Sequence, residues 1–261
     1  MKKIIDFGQF LTKINESFQD SDLVGKIDYT LLSPSATEDQ IIELCEKADK
    51  LGVKSVCVLP KMVSIAAETL SDSKVLVCTV ISFPHGTNST SQKLAETKKS
   101  IADGADECDM VLNYPMLSSK IPYKVMYQEL VDDVKTLADE CHNNTNKEGD
   151  DVILKVIVES GLLSAKETEI ATHVCLESGA DFIKTSTGMV AVGAELDKVK
   201  IMRDIITKEG SDMKIKASGA IRTMSDLQKF APYVDRFGVG FGAVDTIFGG
   251  EKNNDNTYWN I

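Results

Sequence analysis

Long apolar runs are missing from this chain of 261 residues. Nothing in it reaches the roughly 18 apolar residues that a membrane span requires. The opening MKKIIDFGQFLTKINESF begins with lysines but has no uninterrupted apolar stretch of signal-peptide length, so an uncleaved cytoplasmic protein is expected. Positive charge is also short. Twenty-nine basic residues against forty acidic ones give a net charge of -11, which repels nucleic acid and anionic membrane, so any anionic ligand must be held by a local cluster. The six cysteines (Cys45, Cys57, Cys78, Cys108, Cys141, Cys175) contain no CxxC pair. Four of them sit in apolar helix or strand patterns, which favours reduced thiols over a disulfide frame or a zinc site. His142 and His173 are neither spaced nor placed as metal ligands, and His85 reads as a surface residue in a PHG turn.

What the chain does contain is alternation. Strand-like runs begin near Lys26 (KIDYTLL), Val53 (VKSVCVL), Val75 (VLVCTVISF), Ala105 (ADECDMVLN), Val152 (VILKVIVES), Asp181 (DFIKTST), Met213 (MKIKASG) and Arg236 (RFGVGF). Helical stretches lie between them. Over Thr37 to Leu51 apolar residues recur at helical spacing, and Thr37 with Gln40 makes a capping box that Ser164 and Glu167 repeat. Glycines at 52, 104, 179 and 210 close helices just ahead of strands, where a left-handed cap is expected. Eight strand and helix units in about 220 residues point to one (β/α)8 TIM barrel. A doubly wound open sheet would want a glycine-rich turn after the first strand, and DYTLLSPS contains no GxGxxG. The expected organisation is a single domain over residues 1–261: an N-terminal helix over 7–20, the barrel over about 26–250, and a mobile tail over 251–261. The polar stretch from His142 to Asp151 reads as a surface loop.

Alternate residues of a barrel strand point inward, and function gathers at the carboxyl ends. One consistent choice of face aligns Glu107, Asp109 and Val111 on strand four, Lys155 and Glu159 on strand five, Phe182, Lys184 and Ser186 on strand six, and Lys216 and Ser218 on strand seven. Asp109, Lys155, Lys184 and Lys216 therefore enter one interior. Three lysines to one aspartate leave surplus positive charge, a poor way to stabilise a core and a common way to shift pKa values at a working site. An unperturbed amine is neutral in only about one molecule in 2,500 at pH 7. A second ammonium nearby, with desolvation, favours the neutral form, which attacks carbonyls to give a Schiff base. The iminium is an electron sink for cleavage of an adjacent carbon–carbon bond, and a carboxylate with a second lysine can relay the protons. Lys184, Lys216 and Asp109 fill those three roles.

The motifs themselves carry a resemblance. FIKTSTG around Lys184, KASGAIRT from Lys216, GADECDMV around Asp109, LKVIVESG from Leu154, TVISFPHG from Thr79 and the opening IDYTLL together resemble the 2-deoxyribose-5-phosphate aldolase family, from about Ile27 to Phe248. FIKTSTG followed downstream by KxSGxIRT is far more specific than any single lysine. The resemblance implies a class I aldolase on a (β/α)8 barrel that reversibly cleaves 2-deoxy-D-ribose 5-phosphate to acetaldehyde and D-glyceraldehyde 3-phosphate, without metal or cofactor. By position it makes Lys184 the Schiff-base lysine, Lys216 the lysine that tunes it and Asp109 the relay carboxylate. It places Lys155, Asp28, Thr30, Cys57 and Thr185 at the substrate. It assigns the phosphate to the loops after strands six, seven and eight, at Gly188, Gly219, Ala220, Arg222, Gly238 and Gly240.

Two departures fall in those loops. The second glycine of the family's KxxGG is Ala220, and the serine pair after the strand-eight glycine is Gly240 and Phe241. Backbone amides can still hold an anion, so weaker phosphate affinity is expected and the same reaction. The altered loop is also what a catalytically silent barrel, kept as a binding or scaffolding protein, would show; intact Asp109, Lys184 and Lys216 argue against that. Tyr258 stands near the chain end, where some family members carry a proton-transferring tyrosine, but three residues follow it. Exposed faces of barrel helices are compatible with a homodimer, with no residue fixing which face.

Overall fold

The computed structural model describes residues 22–248. The expected helix over 7–20 and the tail over 251–261, with Tyr258, lie outside the described residues. Eight parallel strands close in chain order: β1 (Ile27–Leu31), β2 (Ser55–Val58), β3 (Leu76–Ile81), β4 (Glu107–Val111), β5 (Ile153–Ile157), β6 (Phe182–Lys184), β7 (Lys214–Ser218) and β8 (Arg236–Gly240). Pairing of β8 with β1, Asp28 opposite Gly238, closes the circle and rules out the open sheet. Each strand-like run in the sequence becomes one strand.

Helices return the chain from each strand to the next: α1 (Glu38–Leu51), α2 (Val63–Thr69), α3 (Thr90–Ala102), α4 (Tyr123–His142), α5 (Ala165–Glu177), α6 (Leu196–Lys208), α7 (Met224–Phe230) and α8 (Phe241–Phe248). Their starts are chemically marked. Thr37 with Gln40 and Ser164 with Glu167 form full capping boxes, and Ser89 with Gln92 and Thr223 with Asp226 add two more. Each box satisfies two amides that the first helical turn leaves without partners. Gly52, Gly104, Gly179 and Gly210 all have positive φ, as expected of residues that turn a helix end into a strand.

Outward strand residues pack under the helices. Val56, Val77, Cys108, Met110, Val156, Ile183, Ile215 and Val239 are almost wholly buried in one continuous core with Ile41, Leu44, Val134 and Met202 from the helices. Removing each such aliphatic side chain from water contributes about 1.5–3 kcal/mol. The inward face is different. Beside a small apolar cluster of Leu32, Cys57, Cys78 and Val80, it buries Asp28, Glu107, Asp109, Lys155, Lys184, Lys216 and Arg236.

The polar stretch from His142 is more ordered than a plain surface loop. His142 closes α4 with its Nε2 3.0 Å from Asp181 Oδ2, and a Thr145–Asp151 bridge folds the following turn around the buried Asn146. Lys147 donates its backbone N–H to Asp106 Oδ1 at 2.8 Å, fixing the turn to the start of β4. All six cysteines are buried and free. No helix among the described residues is long and apolar enough to cross a membrane.

Candidate active site

The strand register sets the charged layer. Asp109 stands beside Lys155, and Lys184 beside Lys216, on neighbouring strands. Lys184 and Lys216 converge on one oxygen: each Nζ lies 2.7 Å from Asp109 Oδ2. Lys155 donates to the other oxygen of Asp109 at 2.9 Å and to Glu107 Oε2 at 2.7 Å. Below them Arg236 bridges Asp28 and Glu107, donating through Nε to Asp28 Oδ1 at 2.8 Å and through Nη2 to Glu107 Oε2 at 3.0 Å. Asp28 is also ion-paired to Lys216. The Phe182 ring lies near these cations, 5.9 Å from Arg236 and 6.0 Å from Lys155.

Counting this layer corrects the balance read from the sequence. The cations are Lys155, Lys184, Lys216 and Arg236, and the anions Asp28, Glu107 and Asp109, so the surplus is one positive charge, not two. Burial alone would push the Asp109 carboxyl up, but the ammoniums of Lys155, Lys184 and Lys216 outweigh it and hold it well below the usual carboxylate range. Asp28 is driven down in the same way against its own burial, chiefly by Arg236 and then Lys216. Burial opposes the charge on Lys216, yet Asp109 and Asp28 raise its pKa overall. Lys216 is thus a fixed cation. Lys184, at the edge of the layer, is the one lysine of the three that reaches the cavity above.

That cavity has a volume of about 490 Å3 at the carboxyl ends of the strands. Lys184 is part of its floor, Thr30 and Ser33 stand on the β1 side, and the walls are the loops after β6, β7 and β8. Gly188, Gly219, Ala220, Arg222, Gly238 and Gly240 all line it. Two cations and no carboxylate stand among the described lining residues, in a chain of net charge -11. Glycine is required at Gly238, where a Cβ would come within 2.8 Å of Ser218 Cβ and 3.4 Å of Lys216 Cε. Ala220 holds a left-handed backbone, with φ 63°. Phe241 turns its ring onto Tyr29, 5.5 Å between centroids, where the family pattern has a hydroxyl.

Other expected contacts fall elsewhere. Asp28, Cys57, Lys155, Asp109 and Lys216 lie wholly buried and do not line the cavity. Period-two alternation tells which face a residue takes but not its height along a tilted strand. Thr185 faces away: its hydroxyl donates to the Ser218 carbonyl and accepts the Ser218 N–H, both at 3.0 Å, and so ties β6 to β7. The backbone N–H of Arg222 donates to Asp226 Oδ2 at 3.0 Å, so that amide is already engaged within its own loop.

Arg236 opens β8 on the same face as Gly238, a period-two spacing from which its inward position can be read. Sγ of Cys57, Sγ of Cys78 and an oxygen of Asp109 lie within 4.8 Å of one another, a donor set that could suggest a metal. The Lys155 ammonium, 3.4 Å from Cys78 Sγ and 2.9 Å from Asp109, already fills that place, and a second cation would meet its charge.

A lysine that touches an open cavity, with a lysine–carboxylate pair directly beneath it in a closed barrel, is suited to amine chemistry on carbonyl compounds. The chain belongs to the DeoC/LacD family of aldolases, whose family model matches residues 26–235. The deoxyribose-phosphate aldolase of Staphylococcus carnosus is 39% identical over 237 residues, covering 90% of this chain and 99% of that protein. That of Mycoplasmoides pirum is 43% identical over 202 residues, 77% of this chain and 86% of its own. Among solved structures, the tetrameric deoxyribose phosphate aldolase from Aeropyrum pernix superposes with a TM-score of 0.74 at 27% identity, covering 87% of this chain and 90% of that one.

Proposed function

We infer that this chain is a class I aldolase that reversibly cleaves 2-deoxy-D-ribose 5-phosphate to acetaldehyde and D-glyceraldehyde 3-phosphate. Family membership and relatives of that name at about 40% identity over most of the chain support the reaction. One observation carries the assignment of roles: Lys184 and Lys216 share Asp109 Oδ2 at 2.7 Å, and only Lys184 opens into the cavity.

In this scheme Lys184 takes the substrate aldehyde. Its neutral amine adds to C1 of the open-chain sugar, and loss of water leaves an iminium. The C3 hydroxyl gives up its proton, the C2–C3 bond breaks, and its electron pair moves into C2–C1–N to form an enamine while C3 becomes the aldehyde of glyceraldehyde 3-phosphate. Protonation at C2 and addition of water return acetaldehyde and the free amine. Asp109 is the relay, since its oxygen already touches the reacting nitrogen and Lys216. Lys216 supplies the fixed positive charge.

The phosphate lies against the loops around Gly188, Gly219, Ala220, Gly238 and Gly240, with Arg222 at the mouth. Phe241 and Gly240 offer no hydroxyl, so affinity for the phosphate is lower than in relatives with the serine pair, while the reaction is the same. The silent-barrel alternative loses its basis: the strand-eight change alters one wall and leaves the lysine floor and the cavity in place. We further propose a cytoplasmic enzyme that self-associates through its outer helix faces, as a homodimer, which sedimentation would check.

The direct test follows acetaldehyde release from 2-deoxyribose 5-phosphate with a chelator present. Release that persists with chelator, and is lost irreversibly after borohydride is added together with substrate, is expected. No release, or loss to borohydride without substrate, contradicts the reading.

A further inference from the structure

Glu159 has no part in the scheme above, yet it occupies a costly position. It is wholly buried, lies two residues past the end of β5, and holds a left-handed backbone with φ 53°, which disfavours any residue but glycine. Such a conformation persists where surrounding structure demands it, most often near a working site. What Glu159 touches is the loop after β6. Its Oε2 accepts the Thr187 hydroxyl at 2.5 Å, and both of its oxygens accept the Thr187 backbone N–H at 3.3 Å. Thr187 in turn receives the Met189 N–H on its hydroxyl at 3.0 Å. Thr187, Gly188 and Met189 all line the cavity.

The anchorage reaches the reacting lysine as well. Val158 and Ser160, on either side of Glu159, donate their N–H groups to the carbonyls of Lys184 and Thr185 at 3.0 and 2.7 Å. Farther along the same loop, Gly193 lies against the backbone of Gly219 and Ala220, so a shift at Thr187 moves two walls together.

Resting on the reading under Proposed function, we propose that Glu159 is a positioning residue for substrate phosphate: through Thr187 it fixes the loop that presents the Gly188 amide, and so sets the preference for phosphorylated over unphosphorylated sugar. Burial costs its carboxylate solvation, and the two Thr187 donors and the nearby Lys184 charge partly offset that loss. A carboxylate kept at such expense only for stability would have no reason to discriminate between two substrates that differ at one end.

The experiment compares kcat and KM for 2-deoxyribose 5-phosphate and for 2-deoxyribose in the wild-type chain, Glu159→Ala and Glu159→Gln. Glu159→Ala is expected to raise KM for the phosphorylated sugar about 10-fold or more, as a displaced binding loop does, with KM for the unphosphorylated sugar unchanged within about twofold. Glu159→Gln keeps an acceptor for Thr187 and is expected to restore most of the difference. If Glu159→Ala does not fold, Thr187→Val carries the same comparison, since it removes the hydroxyl contact and keeps the shape. Equal changes for both sugars, or none for either, overturn the proposal. Acetaldehyde plus borohydride separates the two readings: no adduct in the wild-type chain fails the lysine assignment, whereas an adduct with an unmoved KM ratio fails Glu159 alone.

Discussion

Two buried lysines in this barrel stand in opposite circumstances. Lys93, on α3, is as buried as Lys216, but its ammonium meets one carboxylate, Asp133 Oδ2 at 2.6 Å, and one carbonyl, Val111 at 3.1 Å. The Thr90 hydroxyl fills the other oxygen of Asp133 at 2.7 Å. Charge there is balanced one to one, and Lys93 is not among the residues lining the cavity above Lys184. In the ion-paired layer of the barrel four cations face three anions, and one of the four reaches open space. Burial of a lysine therefore says little by itself. An unbalanced group of charges beside a cavity is what distinguishes chemistry from structure.

That contrast can be broken at either end. Lys184→Met removes the proposed nucleophile and is expected to lower kcat by about 10⁴-fold or more, read as acetaldehyde release, while the fold survives. Asp109→Asn removes the proposed relay and is expected to cost about 10²–10⁴-fold in kcat with a smaller change in KM. Lys93→Met should behave in reverse: it leaves Asp133 buried without its cation and lowers stability by about 3–5 kcal/mol by denaturant unfolding, with kcat per folded molecule unchanged within about twofold. A Lys93 variant that folds well but is inactive would erase the distinction between the two lysines.

Acidity and alkalinity sharpen it further. Asp28, Glu107 and Asp109 have lowered carboxyl pKa values, so their contribution to stability is present above the unfolded value near 4 and is lost as pH falls through the folded values. Lys155 and Lys216 have raised values, so theirs is present below the unfolded lysine value of about 10.4 and is lost as pH rises through the folded ones. Stability is expected to form a plateau between about pH 4 and 10 in denaturant melts, and Asp109→Asn should flatten its acid edge. The smallest effect is at Ala220. Ala220→Gly relieves the left-handed strain but loosens the unfolded chain, for a net gain of about 0.5 kcal/mol by the same melts.

Much of this was legible before any coordinates. The eight strands followed from apolar runs punctuated by capping boxes and glycines, because parallel barrel strands are buried on both faces and their helices must start and stop sharply. Lys184, Lys216 and Asp109 followed from period-two alternation. Height along the strand did not follow, since barrel shear offsets neighbours, and so Lys155, Asp28 and Cys57 sit beneath the cavity and not along its wall. Thr185 shares a loop with Lys184 but faces the neighbouring strand. Arg236, which helps set the charge balance, carries no motif, and Glu159 acts through a left-handed backbone that no sequence pattern marks.

The most direct measurement is peptide mapping after borohydride reduction in the presence of acetaldehyde. The reduced adduct should lie on the peptide containing Lys184, and a Lys216→Met chain should form it far more slowly at neutral pH. An adduct on Lys155 or Lys216, or an unchanged rate in Lys216→Met, would contradict a reactive amine kept by a cationic neighbour across a shared carboxylate.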